Sequence, residues 1–367
     1  MKYSLNLGKI AGIRLSIHWT FAILLVYVIF STMNQGTSQT IWMVLFTLAI
    51  FACVVLHELG HALAARRYGI PTRSITLLPI GGVASLERIP EKPSEELVVA
   101  LAGPLVNLLI MLVLIPFVKF PASTDELTEL AAINQSTFLI NLLAINGWLA
   151  LFNLIPAFPM DGGRVLRALL SFRMERARAT RIAASIGQFL AIGFVILGFF
   201  GNPFLVFIGL FIFLGAQQET THVQTSAAFQ GHTVSEVSMS TYPTLHQSDL
   251  VQDAVQLLLD SQNRNFLIVD TFKEPVGTLS RETLIKGLAE RGNAAFLSDV
   301  MDPDILYLDA TLPLQEAWQL MQTQKKSFAL VRSNGQIVGA LDPENVVEFL
   351  MVQQAVLGKN VAGRGTF

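Results

Sequence analysis

Long apolar stretches constrain this chain more than any other feature. About 20 residues at 1.5 Å rise cross a 30 Å hydrocarbon core, and apolar runs of about 18 residues or more with few charges read as spanning helices. Six candidates lie in the first 217 residues, at 16–33, 41–65, 97–120, 136–156, 182–200 and 203–216. The last is short, and Gly201-Asn202-Pro203 reads as a tight turn before it. Residues 1–15 are too polar, and the run behind them too long, for a cleaved signal peptide, so the first helix is expected to be retained. Charge divides the chain at the same place. Residues 1–217 hold 15 Lys+Arg and 10 Asp+Glu, whereas 218–367 hold 10 and 17. An apolar, slightly basic half is thus followed by an acidic one of ordinary soluble composition. A formal net charge of -2 leaves no cationic excess to displace counterions from phosphates, so nucleic acid is not an expected partner. The single cysteine, Cys53, excludes an internal disulfide framework.

Lys and Arg are retained on the cytoplasmic side, so their positions orient the helices. With the N-terminus inside, the inner segments carry Lys2, Lys9, Arg14, Arg66, Arg67, Arg73, Arg88, Lys92, Arg164, Arg167, Arg173, Arg176, Arg178 and Arg181, and the outer loops only Lys119. Fourteen against one predicts both termini cytoplasmic, with the arginines from 164 to 181 serving as a positive-inside anchor.

Ionisable groups inside a span are costly and mark function by default. The second apolar run contains His57-Glu58-Leu59-Gly60-His61. On a helix, His57 and His61 stand one turn apart on one face, so both imidazoles can reach one ion with Glu58 beside them. This H-E-x-x-H spacing is that of zinc peptidases, two neutral His ligands with a Glu as general base. If the helix leaves the bilayer at Arg66 and Arg67, the pair sits roughly 8 to 14 Å below that surface. A catalytic zinc usually has three protein ligands. Asp161, after Pro156 and Pro159 and before Gly162-Gly163, is the other carboxylate placed at that depth. The competing reading is an ordinary loop-start Asp before Gly-Gly. Cys53 shares the histidine face, but a closed four-ligand site would be structural, so it is expected to be a buried small residue.

Taken together, His57-Glu58-Leu59-Gly60-His61, Gly103-Pro104-Leu105-Val106-Asn107 and the stretch from Asn153 to Gly163 resemble the site-2 protease family of intramembrane zinc metalloproteases. The closest likeness is to its bacterial and archaeal branch with a C-terminal pair of CBS domains. The resemblance implies one Zn2+ per chain held by His57, His61 and Asp161, with Glu58 as general base. Asn107 and Asn153 match motif asparagines that position substrate or polarise its carbonyl. Residues Pro79, Gly81 and Gly82, within Leu78-Pro79-Ile80-Gly81-Gly82, match a loop near the site on a small membrane-associated β-sheet. It further implies a cell-membrane protein whose substrates are transmembrane proteins, such as membrane-tethered transcription regulators. From the residues alone, Asn107 and Asn153 serve equally well as polar glue between helices. The stretch 74–86 could pair with an unwound substrate by strand addition.

After Gln217, offsets of 62 to 63 residues superpose Ser235-Glu236-Val237 on Ser298-Asp299-Val300 and Val276-Gly277 on Val338-Gly339, the mark of a duplicated unit. Each copy reads as helix, buried strand, turn, strand, helix, and resembles a CBS domain. An adenine nucleotide and a homodimer through the pair are what that likeness allows. Against the nucleotide, the usual ribose-binding Asp is replaced by Thr283 and Asn345, and Asp342 stands where Thr or Ser is common. The expected architecture is an α-helical polytopic membrane protein of six transmembrane helices with a small β-sheet, then a soluble α/β CBS pair. Its expected divisions are 1–217, a linker 218–232, CBS domains 233–292 and 293–355, and a flexible tail 356–367. A CBS-regulated transporter and a catalytically inactive membrane chaperone are the competing functions, since intramembrane His, Glu and Asp also mark ion paths.

Overall fold

The computed structural model describes residues 4–79, 81–86, 90–121, 130, 132–261 and 263–362, so Lys2, Ile80, Arg88 and the end of the expected tail lie outside the described residues. The chain divides into two compact units, residues 1–223 and 224–367.

The first unit opens with a hairpin. Strands β1 (Ser4–Ile10) and β2 (Ile13–His18) are joined through Ala11 and Gly12, both at positive φ, as a two-residue loop matched to strand twist requires. Then come helix α1 (Thr20–Thr32), helix α2 (Thr37–Arg67), strands β3 (Thr72–Leu78) and β4 (Gly81–Leu86), and helices α3 (Pro93–Leu114), α4 (Phe138–Asn153), α5 (Asp161–Ser171), α6 (Arg176–Phe200) and α7 (Phe204–Phe229). Strand order is β1-β2-β3-β4, with β2 parallel to β3 and β4 antiparallel on the edge. Ile13, Ile75 and Leu77 from this sheet pack with Phe51, Val55, Leu59 and Ala62 of α2. The sheet is thereby seated on the turns of α2 that carry the histidines. Past its Arg66-Arg67 end, α2 stops where Gly69 takes φ +72° and donates to the Arg66 carbonyl at 3.1 Å, a left-handed terminator that suits glycine.

Among the described residues, four helical segments are long and apolar enough to cross a membrane: Thr37–Arg67, Pro93–Phe117, Arg176–Phe200 and Phe204–Phe229. The expected first and fourth runs are shorter as helices, Thr20–Gln35 and Phe138–Asn153. The first loses its start because Ile13–His18 pairs as strand β2. The fourth ends at Asn153 because Pro156 and Pro159 cannot continue the helical ladder. At 1.5 Å per residue each falls short of about 30 Å. The outward faces of the long helices are apolar, with Leu112, Phe189, Phe199 and Phe207 all exposed.

The second unit is the duplicated one. Its first copy comprises α8 (Val234–Val237), β5 (Thr244–His246), α9 (Val251–Asp260), β6 (Asn265–Val269), β7 (Pro275–Ser280) and α10 (Arg281–Arg291). The second repeats it as β8 (Leu306–Asp309), α11 (Leu314–Gln324), β9 (Ala329–Ser333), β10 (Gln336–Leu341) and α12 (Pro343–Ala362). In each sheet the central strand is parallel to the first and antiparallel to the third. The strands β5 and β8 are additions to the sequence reading, each too short to show an alternating pattern. Val234 and Val237, at the start of the first copy, are buried with Leu308, Leu314 and Met321 of the second, so the copies exchange their first turns. Helix α12 continues through 356–362, the stretch expected as tail.

Candidate active site

His57 and His61 stand one turn apart on α2, and Asp161 is the first residue of α5. All three side chains are buried, and their donor atoms converge. Asp161 Oδ2 lies 3.2 Å from His57 Nε2 and 3.0 Å from His61 Nε2, and the two Nε2 atoms are 3.1 Å apart. A tetrahedral zinc with ligand bonds of about 2.0–2.1 Å has donors about 3.3 Å apart. Two imidazole nitrogens and one carboxylate oxygen at this spacing therefore fit one such ion, and among the described residues this is the group of His, Cys, Asp and Glu that could hold one.

The surroundings fix these side chains from behind. His57 Nδ1 is 2.5 Å from Asn107 Oδ1, and His61 Nδ1 is 2.7 Å from the Val99 carbonyl oxygen, both partners belonging to α3. Such outer hydrogen bonds orient ligating imidazoles. Helix α3 comes this close because of Gly103, where a Cβ would lie 2.2 Å from His61 Nε2 and 2.6 Å from His57 Nε2. The two glycines after Asp161 serve packing too. A Cβ on Gly162 would meet the Ile155 carbonyl oxygen at 2.2 Å, and one on Gly163 the Ala157 backbone at 2.7 Å. They let α5 start directly against the proline-containing turn after α4, which aims Asp161 inward.

Glu58 is half-buried beside the cluster. Gly82 of β4 faces it, since a Cβ there would come within 2.7 Å of Glu58 Cγ. Of the loop expected near the site, Gly82 thus makes the contact. Gly81 holds φ +139° at the β3–β4 turn with open space around it, and Pro79 precedes it half-buried. The two asparagines part company. Asn107 has both ends of its amide bonded within the protein, Oδ1 facing His57 Nδ1 and Nδ2 donating to Asn146 Oδ1 at 2.9 Å. Asn153 sits half-buried at the end of α4, and its Nδ2 donates to its own helix at the Leu149 carbonyl. Cys53 is buried and receives Asn146 Nδ2 at 3.4 Å, outside the histidine and aspartate cluster.

Two features escaped the sequence reading. One is Asn146, fully buried in α4, whose signal was a polar residue in an apolar run. The other is the burial of Arg167, one of the six arginines read as a positive-inside anchor, which is fully enclosed. Its Nε and Nη2 donate to Glu96 Oε1 at 2.8 and 2.5 Å, its Nη1 donates to Glu219, and its guanidinium lies 5.0 Å from the Phe158 ring centroid. Arg176 Nη2 adds a contact to Glu96 Oε2 at 3.5 Å. This network ties α5, and with it Asp161, to α3 and α7. Charges this deep persist only when paired. Glu96 and Glu219, near the ends of apolar runs, were the signal that such partners existed.

Residues 45–194 match the family model described as Peptidase family M50, and residues 234–290 and 297–352 each match that of the CBS domain. A zinc metalloprotease of Methanocaldococcus jannaschii is 38% identical over 276 residues, covering 74% of this chain and 77% of that one. Rip3 of Mycobacterium tuberculosis is 28% identical over 382 residues, covering 96% and 94%. Among solved structures, the site-2 protease from Methanocaldococcus jannaschii is 40% identical, covers 59% of this chain and 95% of its own, and aligns with a TM-score of 0.44. The chain belongs to peptidase family M50, the site-2 protease type of zinc metalloprotease, and carries a tandem pair of CBS domains after it.

Proposed function

We propose that this protein hydrolyses a peptide bond in or near the transmembrane segment of a membrane protein, close to the cytoplasmic face, with His57, His61 and Asp161 holding zinc and Glu58 as general base. The observation that carries this reading is the convergence of His57 Nε2, His61 Nε2 and Asp161 Oδ2 inside a unit whose outer surface is apolar. Zinc held there supplies Lewis acidity that polarises a carbonyl and eases deprotonation of water. Glu58 accepts the proton of the attacking water and hands it to the departing amide nitrogen. Among the described residues β4 lies at an edge of the sheet beside Glu58, so an unwound substrate segment adds to the sheet there and its carbonyl is drawn past Gly82. Pro79 and Gly81 shape the turn that presents this edge, and Asn153 is the motif asparagine left for the substrate.

The unit crosses the membrane six times, the two shorter apolar helices included, and the sheet lies against the membrane. Both termini and the CBS pair are cytoplasmic, a reading supported by the inner bias of Lys and Arg. Cleavage releases a cytosolic fragment from a membrane-tethered regulator, and the CBS pair modulates it. Purified protein assayed for zinc and for cleavage of a single-span substrate tests the core of this reading. Glu58→Gln is expected to keep its zinc and lose about 10²- to 10⁴-fold in cleavage rate, the usual contribution of a general base. Cleavage undiminished in that variant, or a parent protein without zinc, overturns it.

A further inference from the structure

A backbone carbonyl can only accept hydrogen bonds, and this fixes the direction of every bond from Leu142 to His57. Asn146, fully buried on α4, has one end of its amide 2.8 Å from the Leu142 carbonyl oxygen, so that end is the NH2 group, which also faces Cys53 Sγ at 3.4 Å. Asn146 Oδ1 is then the atom turned to Asn107, which must answer with Nδ2, at 2.9 Å. Asn107 Oδ1 is left facing His57 Nδ1 at 2.5 Å. An oxygen in that place requires hydrogen on Nδ1. Both asparagines are 0% exposed, so neither amide is open to bulk solvent.

We infer that Asn146 is a positioning residue that sets the tautomer of His57, holding the Asn107 amide so that His57 carries its proton on Nδ1 and keeps the Nε2 lone pair for the metal cluster. Were the Asn107 amide reversed, its NH2 group would face Nδ1, the imidazole proton would move to Nε2, and that nitrogen could not ligate. The two histidines differ in this respect. His61 Nδ1 is matched directly to the main-chain carbonyl of Val99, which cannot turn over. His57 depends on a side-chain amide, which can, and on a second amide from another helix that prevents it.

The consequence for metal binding rests on the proposed role of His57 as a ligand, whereas the tautomer does not, and two measurements separate them. Nitrogen-15 solid-state spectra of the full chain in lipid, with His57 assigned by its loss in His57→Gln, are expected to show hydrogen on Nδ1. A protonated Nε2 with bare Nδ1 overturns the inference without any variant at Asn146. Zinc affinity is then measured by chelator competition. Asn146→Leu, which keeps the branching at Cγ and removes both polar atoms, is expected to weaken zinc by about 10- to 100-fold, the usual loss for an outer-shell partner. Adding Asn107→Asp is expected to restore most of it, because a carboxylate accepts from Nδ1 whichever way it turns. Zinc affinity unchanged in Asn146→Leu, or a loss that Asn107→Asp leaves uncorrected, overturns the relay while the metal reading stands. A parent chain that binds no zinc sinks the metal reading instead, and the spectra still decide the tautomer.

Discussion

The two units differ in what they bury beside their apolar cores. The CBS unit hides apolar side chains, with Phe266, Ile268, Leu279 and Leu284 in one copy and Leu314, Met321 and Val331 in the other, all fully buried. The protease unit buries His57, His61, Asp161, Asn107, Asn146, Glu96 and Arg167, and turns Phe189, Phe199 and Leu112 outward. In water, apolar burial drives folding. In lipid that force between helices is absent, so packing of small residues and polar bonds must hold them together. Gly60, Gly103 and Gly187 mark such close approaches, each with a neighbouring atom near enough that a Cβ would crowd it. Specificity in the first unit thus sits in a few directional contacts and in the second in shape.

That contrast can be broken most easily at Arg167. Arg167→Met leaves Glu96 and Glu219 buried without their cation and is expected to destabilise the protease unit by about 3–5 kcal/mol, read as an earlier unfolding midpoint in mixed micelles. Joined with Glu96→Gln and Glu219→Gln, it is expected to recover much of that loss. If the single variant is as stable as the parent, the polar interior does not hold this unit. In the CBS unit Met321→Ala should cost about 2–5 kcal/mol through its cavity, seen by calorimetry of the full chain as a lower transition for that unit. A loss well below this range would mean that the second core is as loosely specified by shape as the first. The smallest effect is expected at the start of α10, where Ser280 Oγ accepts from Thr283 N at 3.1 Å. Ser280→Ala removes this cap for about 1 kcal/mol, and amide exchange confined to the first turn of α10 would report it. Faster exchange spread over the whole copy would argue against so local a role.

Periodicity made much of this legible. The apolar runs gave the helical half, the 62- to 63-residue repeat gave the second half, and the i, i+4 spacing put His57 and His61 on one face. The strands Ser4–Ile10 and Ile13–His18 were harder, because most of β1 is exposed and the second strand runs into the apolar stretch of α1 without a break in hydropathy. Arg167 read only as part of the positive-inside anchor because its charge matched that rule, and nothing near it in sequence reveals Glu96, 71 residues earlier.

By itself, then, the sequence determined the classes of element, the duplication and the helix on which the histidine pair lies, since each depends on spacing within one or two turns or on self-similarity. Tertiary structure alone decided that Asp161, more than 100 residues from His57, brings its oxygen to both imidazoles. It also decided that Gly82 rather than Gly81 meets Glu58, and that Asn107 serves His57. Those outcomes depend on how separate helices and strands approach one another, which glycines permit and buried hydrogen bonds fix, and no local pattern along the chain encodes the distance between two of its faces.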